Sequence, residues 1–334
     1  MPQASIREVA KRAGVSVGTV SNVLNRPDLV AEETRARVLS AIDELNFVRN
    51  ESARRLRQGP SVRGRAFGVV MQEVANPYYT DVAQGAESAM NGVGADLIWC
   101  TSNGSPEKER RALKMLAGQG VAGVLITPVG LGADQIAWLH DQRVGIVVLD
   151  RRAHPAGVCS ARVDHMAGGD IAVSHLLGLG RERIAFVAGT AESEPCAERH
   201  VGAIRAMARA GAGDLRMLVQ DGMTVTAGQD AARRLLEEIP TPCAAFCVND
   251  LVAIGLINEL LRCGVKVPEE VAVVGYDDIE LAASAAVPLT TVRQPRQELG
   301  RVAAELALAE ATEGTGHPHR HIVLTPELIV RNSA

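Results

Sequence analysis

Asn76, Tyr78, Tyr79, Asp150, Arg151, Asn249, Asp277 and Gln294 each stand at or soon after the end of a short apolar run, and Arg199 lies in the segment AERHVG. These residue types share one chemistry. Carboxylates accept pairs of hydroxyl protons, guanidiniums donate to ring and hydroxyl oxygens, and an aromatic ring covers a C–H face. Tyr78 and Tyr79 belong to a chain that is only 3% aromatic, which gives their adjacency weight. Taken singly, each residue is more often a helix cap or a surface ion pair, and Asn249 is placed to cap a following helix. Two arginines against two aspartates balance in charge, which suits a neutral polyol better than a phosphorylated sugar.

A second group lies near the N-terminus and suits DNA. Ser16, Val17, Gly18, Thr19, Ser21, Asn22 and Asn25 fall on one short helical pattern, with Val20, Val23 and Leu24 on its opposite, apolar face. Asparagine pairs with adenine through N6 and N7, hydroxyls bond phosphates, and valine touches a thymine methyl. Further on, Asn50, Ala53, Arg54, Arg55 and Leu56 form a short segment ended by Gly59-Pro60. Arginines around one leucine suit a minor-groove wedge, the leucine prying a base step while the cations hold phosphates. Alone, that segment is too short for a stable helix in water.

Three helices must position the DNA group. Ser5 and Glu8 form a capping box, Ile6, Val9, Ala10 and Ala13 keep a helical apolar face, and Gly14 ends the helix. Ser16 caps the second helix. A third is expected from Glu32 to Leu45, burying Val38, Leu39, Ile42 and Leu45, with Ala31 at its N-cap. That arrangement is a helix-turn-helix. From Ala66 onward, apolar runs such as FGVVM, GIVVLD, AAFCV and VAVVGYD alternate with helical segments, the mark of parallel α/β sheets. So many strands exceed one open sheet, so two lobes are expected. The domain reading is a helix-turn-helix over 1–48, a hinge helix and linker over 49–65, and a two-lobed effector-binding and dimerisation domain over 66–334.

Composition narrows the function classes. Net charge is −4 over 334 residues, yet residues 1–66 carry 12 Lys/Arg against 7 Asp/Glu. A basic head on an acidic body places a polyanion at the head. No apolar run spans a membrane and no hydrophobic leader opens the chain, so a cytoplasmic protein is expected. The six cysteines lack a CxxC pair and read as buried, reduced thiols. P-loop, nucleophile-elbow and dinucleotide fingerprints are absent, so neither catalysis nor a cofactor is expected. His317, His319 and His321 alternate as on an extended segment and could hold a metal, but without a nearby thiol or carboxylate as further ligand they read as a solvated loop, and no metal is expected.

The strings GVSVGTVSNVLNRP, ESARRLRQG, VANPYYTDVAQGAE, VVLDRR, VNDLVAIG, VPEEVAVVGYDDIE and LTTVRQP, in that order, resemble the lactose-repressor (LacI) family over residues 4–330. The resemblance implies an N-terminal all-α helix-turn-helix domain and a periplasmic-binding-protein-like core of two parallel α/β subdomains, with three strands crossing between lobes. It implies a homodimer, double-stranded operator DNA as partner, and a small sugar as allosteric effector, ribose-like by the strings NPYY, LDR, AERHVG and GYDD. Family members usually have Ser or Thr where Ala31 stands. Two other readings are a cytosolic sugar-binding protein and a sugar-metabolising α/β enzyme; no catalytic motif supports the second.

Overall fold

Residues 4–45, 47, 66–152, 157–189 and 193–334 are described in a computed structural model, with the side chains of Asn25 and Thr315 outside the description. The segment 49–65, with Asn50, Ala53, Arg54, Arg55 and Leu56, therefore lies outside the described residues. The chain separates into two compact units, one within residues 1–62 and one within 63–334.

The first unit contains helices α1 (Ile6–Ala13), α2 (Val17–Asn25) and α3 (Glu32–Glu44). The Ser5–Glu8 capping box is present in both directions, and Gly14 adopts φ 67° to close α1. Such a left-handed residue favours glycine because it lacks a Cβ. Val9, Ala10, Ala13, Val20, Val23, Val38 and Ala41 form the core. Leu39, expected in that core, is instead 46% exposed. One residue is 100° of helical rotation, so Leu39 points away from the face that Val38, Ala41 and Ile42 share. Ala31 makes no side-chain cap bond to α3. Replacing Ala31 by serine supplies an acceptor for a first-turn N–H and is expected to stabilise this unit by about 0.5–2 kcal/mol. Urea unfolding followed by circular dichroism checks it, and an unchanged midpoint would show that the cap is not limiting.

In the second unit two six-stranded sheets repeat one plan. The first holds β1 (Ala66–Met71), β2 (Asp96–Thr101), β3 (Gly123–Ile126), β4 (Gly145–Leu149), β5 (Cys159–Val163) and β11 (His321–Leu324), in the order β11-β5-β4-β3-β1-β2, all parallel. The second holds β6 (Ile184–Ala188), β7 (Arg216–Val219), β8 (Cys243–Cys247), β9 (Val271–Asp277), β10 (Thr290–Arg293) and β12 (Glu327–Ile329), in the order β12-β10-β9-β8-β6-β7, with β12 antiparallel. Both are doubly wound sheets with a switch in strand order, the arrangement that opens a crevice beyond the strands' carboxyl ends. Strands β3, β6, β8 and β9 are wholly buried because helices cover both faces.

Three short straps join the lobes. They lie at Asp164 after β5, at Gln294-Pro295 after β10, and at Thr325-Pro326 between β11 and β12. Asp164 donates its backbone N–H to the Leu324 carbonyl at 2.9 Å, tying the first strap to the strand that leads into the third.

Helices within each lobe touch through glycines. Helix α4 (Pro77–Asn91) meets α12 (Arg296–Glu313), α7 (His165–Gly178) meets α8 (Glu194–Ala210), and α9 (Val225–Glu238) meets α10 (Asp250–Arg262). At each crossing one glycine from either helix faces a backbone carbonyl of the other. A Cβ on Gly169 would lie 2.0 Å from the Arg199 oxygen, and one on Gly202 would lie 2.0 Å from the Met166 oxygen. Among the described helices, none is long and apolar enough to cross a membrane.

Candidate functional site

All nine residues expected to grip a small molecule line one cleft between the lobes. Asn76, Tyr78, Tyr79, Asp150, Arg151, Arg199, Asn249, Asp277 and Gln294 surround a small cavity of about 40 Å³, together with Gln72, Thr127, Ser193, Pro195, Cys196, Met223 and Val248. Ligand pockets commonly enclose about 300–1,000 Å³, so the lobes must part for a small molecule to enter this narrow cleft.

The two aspartates reach the cleft through unusual backbone. Asp150 follows β4 with φ 59°, and Asp277 ends β9 with φ 116°. Non-glycine residues rarely hold positive φ, and such strain of about 1–3 kcal/mol persists where surrounding structure over-determines it. Here it turns each carboxylate from its strand end into the cleft.

Asp150 heads a buried relay. His165 at the start of α7 sets Nε2 2.8 Å from Asp150 Oδ1, while Arg199 donates Nε to His165 Nδ1 at 3.3 Å. A guanidinium only donates, so Nδ1 is an acceptor and the imidazole proton sits on Nε2, facing Asp150. The Tyr276 hydroxyl is 3.2 Å from the same Nδ1, and the Arg199 guanidinium carbon stands 3.8 Å above the Tyr276 ring. Arg199 also donates to the Val248 carbonyl at 2.6 Å. Burial raises the Asp150 pKa, but His165 and then Arg199 more than offset it and hold the carboxylate below its ordinary value. A carboxylate of the first lobe is thus held by an imidazole and a guanidinium of the second.

Asp277 sits in the other balance. Burial outweighs the attraction of Arg199 and the hydrogen bond from Gln294, pushing its pKa up to about 6. Gln294 Nε2 donates to Asp277 Oδ1 at 2.6 Å, and the Arg296 guanidinium donates to the Asp277 carbonyl. Gln294 Oε1, Arg151 Nε and the Tyr78 hydroxyl are buried with no hydrogen-bond partner among the described residues, which leaves an acceptor, a donor and a hydroxyl that can do either for a ligand.

The remaining residues divide between contact and support. Tyr78 and Tyr79 meet edge to face, with centroids 5.1 Å apart, and Tyr79 donates to Gln72 Oε1 at 3.3 Å. Asn76 caps α4 by accepting the Tyr78 N–H at 3.0 Å. Asn249 caps α10, accepting from Val252 at 2.9 Å, and donates Nδ2 to the Met223 carbonyl at 3.1 Å. Both asparagines therefore act largely as caps. Sequence reasoning missed His165, although it follows a strand as Asp150 does. The signal was weak because β5 reads CSARV, which is not an apolar run.

In the first unit, Ser16, Val17, Gly18 and Asn22 are exposed on α2, and Thr19 and Ser21 are half-buried. Ser16 Oγ accepts the Thr19 N–H at 3.1 Å and shares a 2.9 Å bond with Thr19 Oγ1, so both hydroxyls help start the helix. Asn25 ends α2. A Cβ on Gly18 would meet only Ser16 Oγ, at 3.6 Å, so packing does not demand glycine there.

Two expectations need correction. The cysteines are free thiols, but Cys263 is exposed and Cys100 only half-buried. Cys263 caps the end of α10 and Cys100 lies on the edge strand β2, neither of which is covered on all sides. The histidine triplet is not a solvated loop lacking a thiol or carboxylate. His317 is buried, with Glu313 four residues before it on one side and, because β11 returns to pair with β5, Cys159 on the other, 158 residues away in the chain.

Residues 5–50 match the family described as bacterial regulatory proteins, lacI family, and residues 173–334 match a periplasmic binding protein-like domain. The HTH-type transcriptional repressor PurR of Photobacterium profundum is 33% identical over 332 residues, covering 99% of this chain and 98% of the relative. The PurR of Vibrio parahaemolyticus is 35% identical over 350 residues at the same coverage. Among solved structures, the lac repressor dimer bound to operator and the anti-inducer ONPF is 26% identical, with TM-score 0.84 over 99% of each chain. A LacI family regulator from Enterococcus faecium with bound ribose is 26% identical, with TM-score 0.73 over 80% of this chain and 98% of that one. The regulator CelR in complex with cellobiose is 32% identical, with TM-score 0.73 over 99% of this chain and 100% of that one.

Proposed function

Because the chain belongs to the lacI family of bacterial regulatory proteins, a family of DNA-binding repressors rather than enzymes, we propose that it binds a two-fold operator as a homodimer and releases or tightens its grip when a neutral, ribose-like monosaccharide enters the interlobe cleft. The observation that carries the effector class is the polar balance of the cleft. Two aspartates, two arginines, one spare acceptor on Gln294 and one spare donor on Arg151 suit a small ring dense in hydroxyls. The ribose-bound relative supports the same class. The relatives named PurR favour a second reading, a purine base. Calorimetry with ribose, other pentoses, hexoses and purine bases decides between them. A sugar that binds and shifts the gel-shift affinity for DNA beside the chain's own gene supports the proposal. Purine binding with no sugar binding would overturn the effector class and leave the DNA-binding role standing.

Linkage is the proposed mechanism. Ligand changes the relative orientation of the lobes, and that changes how two copies of residues 50–58 meet on the operator. A typical coupling of this kind is about 1–3 kcal/mol. In this proposal Leu56 is the minor-groove wedge, Arg54 and Arg55 hold phosphates, and Val17, Gly18, Thr19, Ser21, Asn22 and Asn25 face the major groove. Leu56→Ala is expected to weaken operator binding by about 1–3 kcal/mol. Unchanged gel-shift affinity would remove the wedge. Gly18→Ala separates reading from folding. A glycine inside a helix costs about 1 kcal/mol relative to alanine, so the variant should be more stable, yet its preferred operator bases should change. Unaltered base preference in a binding-site selection would take Gly18 out of the groove.

A further inference from the structure

Cys159, His317 and His319 bring a thiol and two imidazoles together at the end of the first sheet remote from the cleft. We propose that they form a transition-metal site for Zn²⁺ or another borderline-soft divalent ion. Cys159 opens β5, whose other end leads to the strap at Asp164, so the site and the cleft lie at opposite ends of that strand. The histidines lie between α12 and β11, and β11 pairs in parallel with β5 so that His321 stands beside Ser160. This pairing is what carries residues far apart in sequence to one place.

The distances suit a metal. Cys159 Sγ is 3.2 Å from His317 Nε2 and 3.9 Å from His319 Nδ1, and the three ligand atoms all lie within 4.8 Å of one another. A tetrahedral Zn²⁺ with its usual bond lengths holds sulfur and nitrogen about 3.6 Å apart, a value between the two observed. The two sulfur–nitrogen separations need only tenths of an ångström of adjustment, and the two imidazole nitrogens, within 4.8 Å of each other, would close on the ion to about 3.3 Å.

The surroundings orient the ligands in the manner of a metal centre. His317 Nδ1 is 2.8 Å from Glu313 Oε2. The carboxylate accepts, so Nδ1 carries the proton and the lone pair of Nε2 points at the sulfur, the carboxylate–histidine arrangement that supports zinc ligands. The Arg320 backbone N–H donates to Cys159 Sγ at 3.4 Å, an orienting contact on the sulfur, although burial pushes the metal-free thiol up. A cavity beside the histidines, lined also by His140, Glu310 and Glu313, leaves room for water or a carboxylate as fourth ligand. His321 is not part of the set, since its Nδ1 lies 3.0 Å from Ser160 Oγ. The competing explanation is a thiol hydrogen-bonded to an imidazole with no ion.

Cobalt(II) titration of the tag-free full-length chain, stripped with a chelator, distinguishes the two. One equivalent should give tetrahedral visible bands and a thiolate-to-cobalt charge-transfer band, and Zn²⁺ should displace it. His319→Gln changes an exposed residue and should weaken binding tenfold or more while the chain stays folded. Glu313→Gln, which removes only the orienting carboxylate, should weaken it by about 10–100-fold. Cys159→Ser should abolish the charge-transfer band. Absence of that band in the unaltered chain, or its persistence undiminished in folded His319→Gln, overturns the site. The readout requires neither effector nor DNA.

Discussion

Asp277→Ala is expected to weaken effector binding about a hundredfold or more, the equivalent of losing about 3 kcal/mol of hydrogen bonding to a charged acceptor. The loss has two parts. The ligand's hydroxyls lose their carboxylate, and Gln294 Nε2 loses the partner it holds at 2.6 Å. Calorimetry on a variant with an unchanged melting profile measures it, and affinity within a factor of three of the parent would take Asp277 out of the contact set. The same carboxylate sets a pH dependence. Its pKa is pushed up to about 6, so it takes up a proton where an ordinary aspartate stays charged. A hydroxyl-donating ligand needs the charged form, so affinity should be full above about pH 7 and fall towards tenfold per unit below about pH 6. Asp277→Asn should flatten that profile. Stability follows the opposite sign. Between the ordinary carboxylate value and about 6 the folded chain binds more protons than the unfolded one, so this group makes the ligand-free fold less stable as pH rises through that window.

The second large effect comes from a residue with no side chain. Gly169→Ala places a methyl 2.0 Å from the Arg199 carbonyl, and backbone is what it meets, so α7 and α8 must separate. Overpacking of this kind costs about 3 kcal/mol. It should also displace Arg199, and with it the hold on His165 and Asp150. We expect a lower urea midpoint with unchanged slope and, where the variant is still folded, weaker effector binding. Gly178→Ala in the same helix meets nothing within 4 Å and serves as the control. Equal stability of the two variants would show that the helices yield more easily than their contact implies.

Local signals carried most of the first unit. The Ser5 box, the Gly14 stop and the Ser16 cap are each written within four residues, and each is present. Leu39 failed because an apolar residue beside Val38 was assigned to its face without counting rotation. In the second unit the continuous apolar strands were legible, and β5, β7, β11 and β12 were not. Arg162, Arg216 and Glu327 break their runs, and β7, β11 and β12 sit at or near sheet edges where a polar residue is tolerated. The cleft residues could be gathered because strand ends mark them one by one. His165 and the Cys159–His317 pair could not, since the first follows an unseen strand and the second depends on a pairing that no local pattern records.

The glycine crossings and the straps together decide how the second unit can deform. Helix pairs in backbone contact behave as stiff plates, since neither partner can slide or rise without collision. Compliance is left to Asp164, Gln294-Pro295 and Thr325-Pro326, which are one or two residues each. Three parallel straps resist shear and twist and permit bending about the line they share, so the lobes have one soft coordinate in place of many. Gln294 lies on that line while it holds Asp277, and Arg296 beside it binds both the Asp277 carbonyl and Asp81 of α4. A ligand that grips Asp277 therefore pulls directly on the axle, where a small displacement produces a large angular movement at the distant ends of the plates.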